Sequence, residues 1–298
     1  MTIESAARDT VDLEECIEEL NQASFDASDQ ESFLAVADSL KRLANNSDFL
    51  GDLVVDELKL RCRNQVESND YSSQVIMLHK PEQNYFLRAN MWPAEQDYAV
   101  RASGYKPFYY GVAHDHNFDF LTVGYAGPGY WSDYYEYDYG AVDGFVGEKV
   151  DLKFAETSQL SEGKMLLYRA HLDVHRQRPP ESLSVSLNIM QMKGHHSWLD
   201  QYCFDLEMGE ISDVVTHVAS ETLLKLAVHV GSENAIDLAT SFAKTHPTDR
   251  MRYAAWKAIG SVISDAKESR SFLEAGLSNE TTHIRHHSQE MLEINSSR

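Results

Sequence analysis

The sequence predicts an α+β protein with a β-rich centre between two helical ends. Three observations lead there. The hydrophobic period is close to 3.6 residues at both ends and close to two in the middle. Nearly all 15 tyrosines and three of the four tryptophans fall between residues 73 and 207, as strand packing favours. Gly, Pro, Asn and Asp divide that same stretch into nine short apolar runs. The expected organisation is an N-terminal helical segment over 1–70, a β domain over 71–208 and a helical domain over 209–298.

At the N-terminal end, Val11, Leu13, Cys16, Ile17 and Leu20 recur at helical spacing. So do Phe33, Leu34, Val36, Ala37, Leu40, Leu43 and Ala44. Asp29 or Ser32 is placed to cap the second helix, and Asn45-Asn46-Ser47 breaks it before a third near Phe49. The central runs are Gln74–Leu78, Tyr85–Met91, Tyr109–Val112, Phe118–Gly124, Asp133–Tyr137, Lys149–Phe154, Lys164–Tyr168, Leu183–Met190 and Gln201–Leu206. So many short strands in succession predict a closed or double-layered antiparallel fold. In the eighth run Ser184, Ser186 and Asn188 alternate with Leu183, Val185, Leu187 and Ile189, giving one polar and one apolar face.

Past residue 210 the helical period returns. Arg252 and Arg285 stand 33 residues apart, each a few steps after a turn, and Ile259 aligns with Leu292 at the same offset. This pattern resembles HEAT-type helical repeats, which implies a surface for a protein or carrier-borne partner. An ordinary helical bundle is the alternative reading.

The formal net charge is −21, from 47 acidic and 26 basic residues, and no basic cluster interrupts it. Such a surface repels phosphate backbones and anionic lipid, which argues against nucleic acid and membrane as partners. The acidic N-terminus is unlike a secretory leader, and three scattered cysteines are unlike a disulfide framework. A cytoplasmic, soluble protein is the expectation.

The strongest local signal is Gly111-Val112-Ala113-His114-Asp115-His116-Asn117-Phe118-Asp119-Phe120. Residues two apart on a strand point to one side, so His114 and His116 share a space and together suit a divalent metal. Downstream, Gly163 enters the apolar run 164–168. His171 and His175 follow, then Pro179-Pro180 and the run 183–190. The two stretches resemble the first and second motifs of the cupin superfamily, which implies an antiparallel β-barrel, a double-stranded β-helix, around one metal. In that family the downstream ligand follows the loop about ten residues past the glycine. His175 fits the interval better and His171 falls short.

Many cupins carry a glutamate four residues after the second histidine; here Phe120 stands there, and Asp119 has the opposite parity. The resemblance is therefore to the three-histidine, cysteine-dioxygenase-like branch. It implies His114, His116 and His175 as metal ligands, Fe(II) as the metal, and Arg88 on the preceding strand as an anchor for a substrate carboxylate. Zinc, manganese, nickel or copper would fit the same ligands. The function implied is a mononuclear non-haem iron dioxygenase for a small amino-acid-like or carboxylate substrate. The alternatives are a non-catalytic ligand-binding or regulatory cupin with a partner-binding helical tail, and a metal-dependent cupin isomerase or lyase. Among the four tyrosines of 133–139, one is a candidate active-site phenol. His195, His196, His283, His286 and His287 are expected to be solvated.

Overall fold

The computed structural model describes residues 1–68, 74–80, 85–192, 199–216, 218–231 and 233–296. The chain divides into two compact units, one of 1–139 with 149–212 and the other of 140–148 with 213–298.

In the first unit, helices start where a capping side chain precedes an apolar stripe. Asp12 caps α1 (Leu13–Gln22) by accepting the Glu15 N–H at 2.8 Å. Asp29 caps α2 (Gln30–Ala35) by accepting the Glu31 N–H at 3.0 Å. The continuous helix expected over 33–44 is broken at Val36, whose ψ of 6° leaves the helical range, and α3 (Ala37–Ala44) begins beyond it. The Asn46 side chain accepts from the Asp48 and Phe49 amides ahead of α4 (Phe49–Lys59), and two short helices follow, α5 (Arg63–Ser68) and α6 (Tyr98–Ser103).

The strands among the described residues are β1 (Thr2–Ile3), β2 (Val75–His79), β3 (Tyr85–Trp92), β4 (Ala113–His114), β5 (Phe120–Ala126), β6 (Trp131–Glu136), β7 (Lys153–Gln159), β8 (Met165–Tyr168), β9 (Asp173–Arg178), β10 (Ser184–Gln191), β11 (Tyr202–Asp205) and β12 (Glu210–Val214). They form two six-stranded antiparallel sheets, ordered β1-β8-β5-β10-β3-β2 and β12-β11-β4-β9-β6-β7. The molecule is thus α+β, as expected.

Individual strands depart from expectation for local reasons. Tyr109 takes a left-handed φ of 57° at the end of a short 3₁₀ turn, so 109–112 is not a strand. Strand β9 went unforeseen because Asp-Val-His-Arg-Gln-Arg has a single apolar residue, and β1 is only two residues long.

The first sheet is buried on both faces. Tyr85, Leu87 and Ala89 of β3 join Leu187 and Ile189 of β10 in a core with Phe33, Leu40 and Leu43 of the helices. Phe86 and Trp92 of β3 and Met190 of β10 instead join Phe120, Tyr130, Leu160 and Tyr168. Each fully buried leucine or isoleucine contributes about 1.5–3 kcal/mol of transfer free energy.

The second unit contains α7 (Ala219–Val230), α8 (Glu233–Thr245), α9 (Asp249–Gly260), α10 (Ala266–Gly276) and α11 (Thr282–Ser296), with Leu224, Val228, Ala239, Met251, Ala255 and Ala258 packing the first three together. Arg252 and Arg285 open α9 and α11. Arg285 donates to the Asn279 and Glu280 carbonyls at 2.7 Å, whereas Arg252 pairs with Asp249. In the segment 140–148, Glu148 accepts the Asp143 and Gly144 amides, and Phe145 stacks on His286 at 4.2 Å. His283 lies 3.3 Å from the Gly144 carbonyl and packs on Tyr253 with His287. The expectation of solvation is corrected for His283 and His287, which are half-buried, and holds for His286, which is exposed although its ring stacks on Phe145. His195 and His196 lie outside the described residues. No described helix is long and apolar enough to cross a membrane.

Candidate metal centre

Strands β4 and β9 place the first two histidines. They pair antiparallel with His114 opposite His175, which brings the rings to 4.4 Å between centroids. Strand β4 ends at His114, so His116 does not sit on a strand as the sequence predicts. It reaches the same space because Asp115, between the two, is drawn the other way. The Asp115 carboxylate accepts the Tyr202 amide and the Tyr137 hydroxyl, each at 2.6 Å, and its own N–H donates to the Tyr202 carbonyl at 3.1 Å. The His116 carbonyl in turn accepts the His171 amide at 2.8 Å. His171 itself has a left-handed φ of 57° and packs its ring on Tyr139 at 4.1 Å. Its backbone thus steadies His116 while its imidazole stands apart from the other three.

The three remaining imidazoles converge. One ring nitrogen from each of His114, His116 and His175 lies within 4.8 Å of the other two. The Nε2 atoms of His116 and His175 are 3.0 Å apart. Two nitrogens bound at right angles to one ion, each roughly 2.1 Å away, would be about 3.0 Å from each other. The His114 Nδ1 is 3.0 Å from the Val112 carbonyl, which leaves Nε2 as its free atom. The Nδ1 atoms of His116 and His175 have no hydrogen-bond partner among the described residues. Those two rings are oriented by packing instead, His116 against Phe120 at 5.0 Å and His175 against Tyr168 at 4.8 Å.

The electrostatics favour the neutral, ligating form. Burial lowers the His114 imidazole to about 4. Burial, then the neighbouring His114 and other positive charge, hold His116 and His175 well below their ordinary value. Arg88 is among the groups that oppose a proton on His116. It therefore lies on the inner side of β3, in electrostatic reach of the histidines. Phe120 borders His116, and no carboxylate among the described residues joins the cluster. Asp119 faces elsewhere, accepting the Ala170 amide at 2.8 Å and the Gln30 amide at 3.1 Å. The three-histidine group can thus hold a metal ion.

Phenols line the same interior. The Tyr134 and Tyr168 hydroxyls are 2.9 Å apart, and Tyr134 stacks over His175 at 6.4 Å. Tyr168 stacks on Phe120 at 4.3 Å. Burial raises Tyr130, Tyr134 and Tyr168 above the ordinary phenol value, so all three remain protonated near neutral pH. Tyr134 is the one of the four tyrosines in 133–139 that meets the centre. Tyr130 and Tyr168 were not singled out in the sequence, where they read as ordinary strand aromatics. Asp115 also went unremarked; burial raises its carboxyl to about 7.

No protein-family model matches the chain, and no curated sequence matches it. Among solved structures, the hydroquinone 1,2-dioxygenase PnpCD in complex with Cd2+ and 4-hydroxybenzonitrile is similar at 14% identity and a TM-score of 0.26, over 44% of this chain and 71% of that one. The DMSP lyases RdDddP and RnDddQII are similar at 13% identity and a TM-score of 0.26, over 65% of this chain and 80% of theirs. The DMSP lyase DddQ from Ruegeria pomeroyi DSS-3 is similar at 10% identity and a TM-score of 0.25, over 65% and 79%. Overlap at this level carries no argument for this chain.

Proposed function

We propose that the protein is a cupin-like, mononuclear non-haem Fe(II) dioxygenase acting on a small amino-acid-like or carboxylate substrate. The observation that carries this reading is the convergence of three neutral imidazoles, two buried and one half-buried, with no carboxylate among the described residues. His114, His116 and His175 would hold the ion. Iron held there would supply oxygen activation beside a bound substrate.

The chain's own residues account for the rest. Three uncharged ligands leave the full charge of a divalent ion uncompensated, and Arg88 adds another positive charge nearby. An anionic substrate neutralises both, and the planar guanidinium of Arg88 suits a carboxylate. Phe118, Phe120 and Tyr168 pack around His116 and exclude water from that side. Asp115, through its bonds to Tyr137 and Tyr202, fixes the turn that aims His114 and His116. The helical unit, read as HEAT-like, would offer a surface to a protein or carrier-borne substrate. Cytoplasmic residence follows from the same reading, since Fe(II) chemistry with three free cysteines suits a reducing compartment.

The protonated phenols of Tyr130, Tyr134 and Tyr168 favour a second reading, a metal-dependent lyase or isomerase. Such a reaction moves a proton without O2, and a buried phenol can serve that step. Oxygen uptake by iron-loaded protein with amino-acid and carboxylate candidates distinguishes them. Stoichiometric O2 consumption with product supports the dioxygenase, whereas turnover under anaerobic conditions supports the lyase or isomerase. Ligand binding without turnover in either condition supports a regulatory cupin.

A further inference from the structure

The inner face of the first sheet carries a row of polar residues where packing alone calls for apolar ones. Asn188 of β10 stands opposite Arg88 of β3 on one side and Thr122 of β5 on the other, and Ser186 stands opposite Asn90. Side chains directly opposite each other share a face, and those two residues along are diagonal neighbours. Asn188, Asn90, Thr122 and Ser186 are all at least 95% buried. Three of the four have a side-chain partner. Asn188 Nδ2 donates to Thr122 Oγ1 at 2.6 Å, and Trp92 Nε1 donates to Ser186 Oγ at 3.0 Å.

Two acceptors remain. The side-chain oxygens of Asn90 and Asn188 are buried and have no hydrogen-bond partner among the described residues. A buried amide oxygen left without a donor is destabilising, so two near each other demand an explanation. They share their face with Phe86 and Trp92, in the core that also contains Phe120 and Tyr168, the aromatic neighbours of the histidines.

We propose that Asn90 and Asn188 are specificity-determining residues that accept hydrogen bonds from an amino or hydroxyl group on the substrate. The substrate would then be a small anion carrying such a donor, an amino or hydroxy acid, and not a plain carboxylate. This inference rests on the metal-centre reading above, because that centre and Arg88 take the anionic end. The carboxamide pair takes the other end. A site built to meet a donor discriminates against the analogue lacking it, since that analogue leaves both oxygens unmet.

The test uses full-length protein loaded with Co(II), whose visible spectrum reports both metal and ligand binding. β-Alanine and 3-hydroxypropionate are titrated against propionate, which has the same chain and carboxylate but no donor. The wild type is expected to bind at least one donor-bearing probe about tenfold or more tightly than propionate. Asn90→Leu and Asn188→Leu are expected to reduce that ratio to near one while leaving Co(II) affinity within a few-fold. Asn188→Asp, nearly identical in shape, keeps the acceptors should the leucine variants fail to fold. It is expected to shift preference toward β-alanine over 3-hydroxypropionate. A wild-type ratio near one, a preference for propionate, no response to any probe, or a ratio unchanged in the variants overturns the proposal. Failure of the wild type to bind Co(II) overturns the metal-centre reading itself, so the two failures are separable.

Discussion

The face of the first sheet that meets α1–α3 is built from Leu87, Ala89, Leu121, Val123, Met165, Leu167, Leu187 and Ile189. The opposite face of the same strands carries Arg88, Asn90, Thr122, Ser186 and Asn188 among its aromatics. Both faces are buried, and a strand alternates between them at every residue. Stability alone would make both apolar, because buried polar groups weaken a core unless each is matched. The helix-facing side obeys that rule and the inner side does not. The contrast teaches that the inner side is shaped for something other than holding the sheets together, and the three histidines lie in that interior.

Substitutions on the two faces are expected to separate metal binding from stability. The largest effect should come from removing a ligand. His114→Ala or His175→Ala is expected to weaken divalent-metal affinity by at least about a hundredfold, beyond the 10–100-fold typical of residues that only support ligands. Competition with a chromophoric chelator measures it, and an unchanged affinity would break the assignment.

On the helix-facing side, Leu187→Ala is expected to destabilise the protein by about 2–5 kcal/mol with metal affinity unchanged. Denaturant unfolding of the metal-free protein reads the first quantity, and the same chelator assay reads the second.

Acid should act here in two opposing senses, because the Asp115 carboxyl, raised to about 7 when folded, contributes stability as pH falls while the histidines lose it. Unfolded, an imidazole takes up its proton near pH 6.5; folded, His114 does so only at about 4, and His116 and His175 lie well below their ordinary value. Between those limits the unfolded chain binds more protons at these histidines, so their contribution to stability falls as pH drops from about 6.5 toward 4. Above 6.5 these groups give no pH dependence. Thermal unfolding of metal-free protein across this range checks the direction, and added Co(II) or Zn(II) should move the fall to lower pH. In the Asp115→Asn variant, which removes the opposing carboxyl, stability that is flat between pH 6.5 and 4 would count against three neutral imidazoles.

A smaller effect is expected at the support. Asp115→Asn retains the shape but turns one accepting oxygen into a donor facing the Tyr137 hydroxyl or the Tyr202 amide. Metal affinity should fall by about 10–100-fold without loss of the fold.

Much of the centre was legible because its chemistry repeats in the sequence. His114 and His116 are two apart, and the interval from Gly163 singled out His175 over His171. The structure brings exactly these three residue positions together at one point and turns the His171 ring to Tyr139. The reason given for His116 was incomplete. Strand parity ends at His114, and what aims His116 is the pull on Asp115 from Tyr137 and Tyr202, residues 22 and 87 positions away. Contacts at that separation leave no local pattern. Strand β9 was hidden because its ladder partners β4 and β6 carry its polar side chains, as where Arg176 and Arg178 pair with Asp133 at 2.8 and 3.0 Å. Asn188 was visible as one polar step in an alternating strand. Whether that step faced water or the interior depended on the second sheet, which a single strand cannot reveal.

X-ray absorption at the metal edge of the reconstituted wild type tests the central claim most directly. One ion per chain with three imidazole nitrogens at about 2.1 Å is the predicted result. A bound sulfur, which the Cys203 position opposite His114 in the β4–β11 ladder makes the nearest rival, would contradict it, as would the absence of any stoichiometric ion.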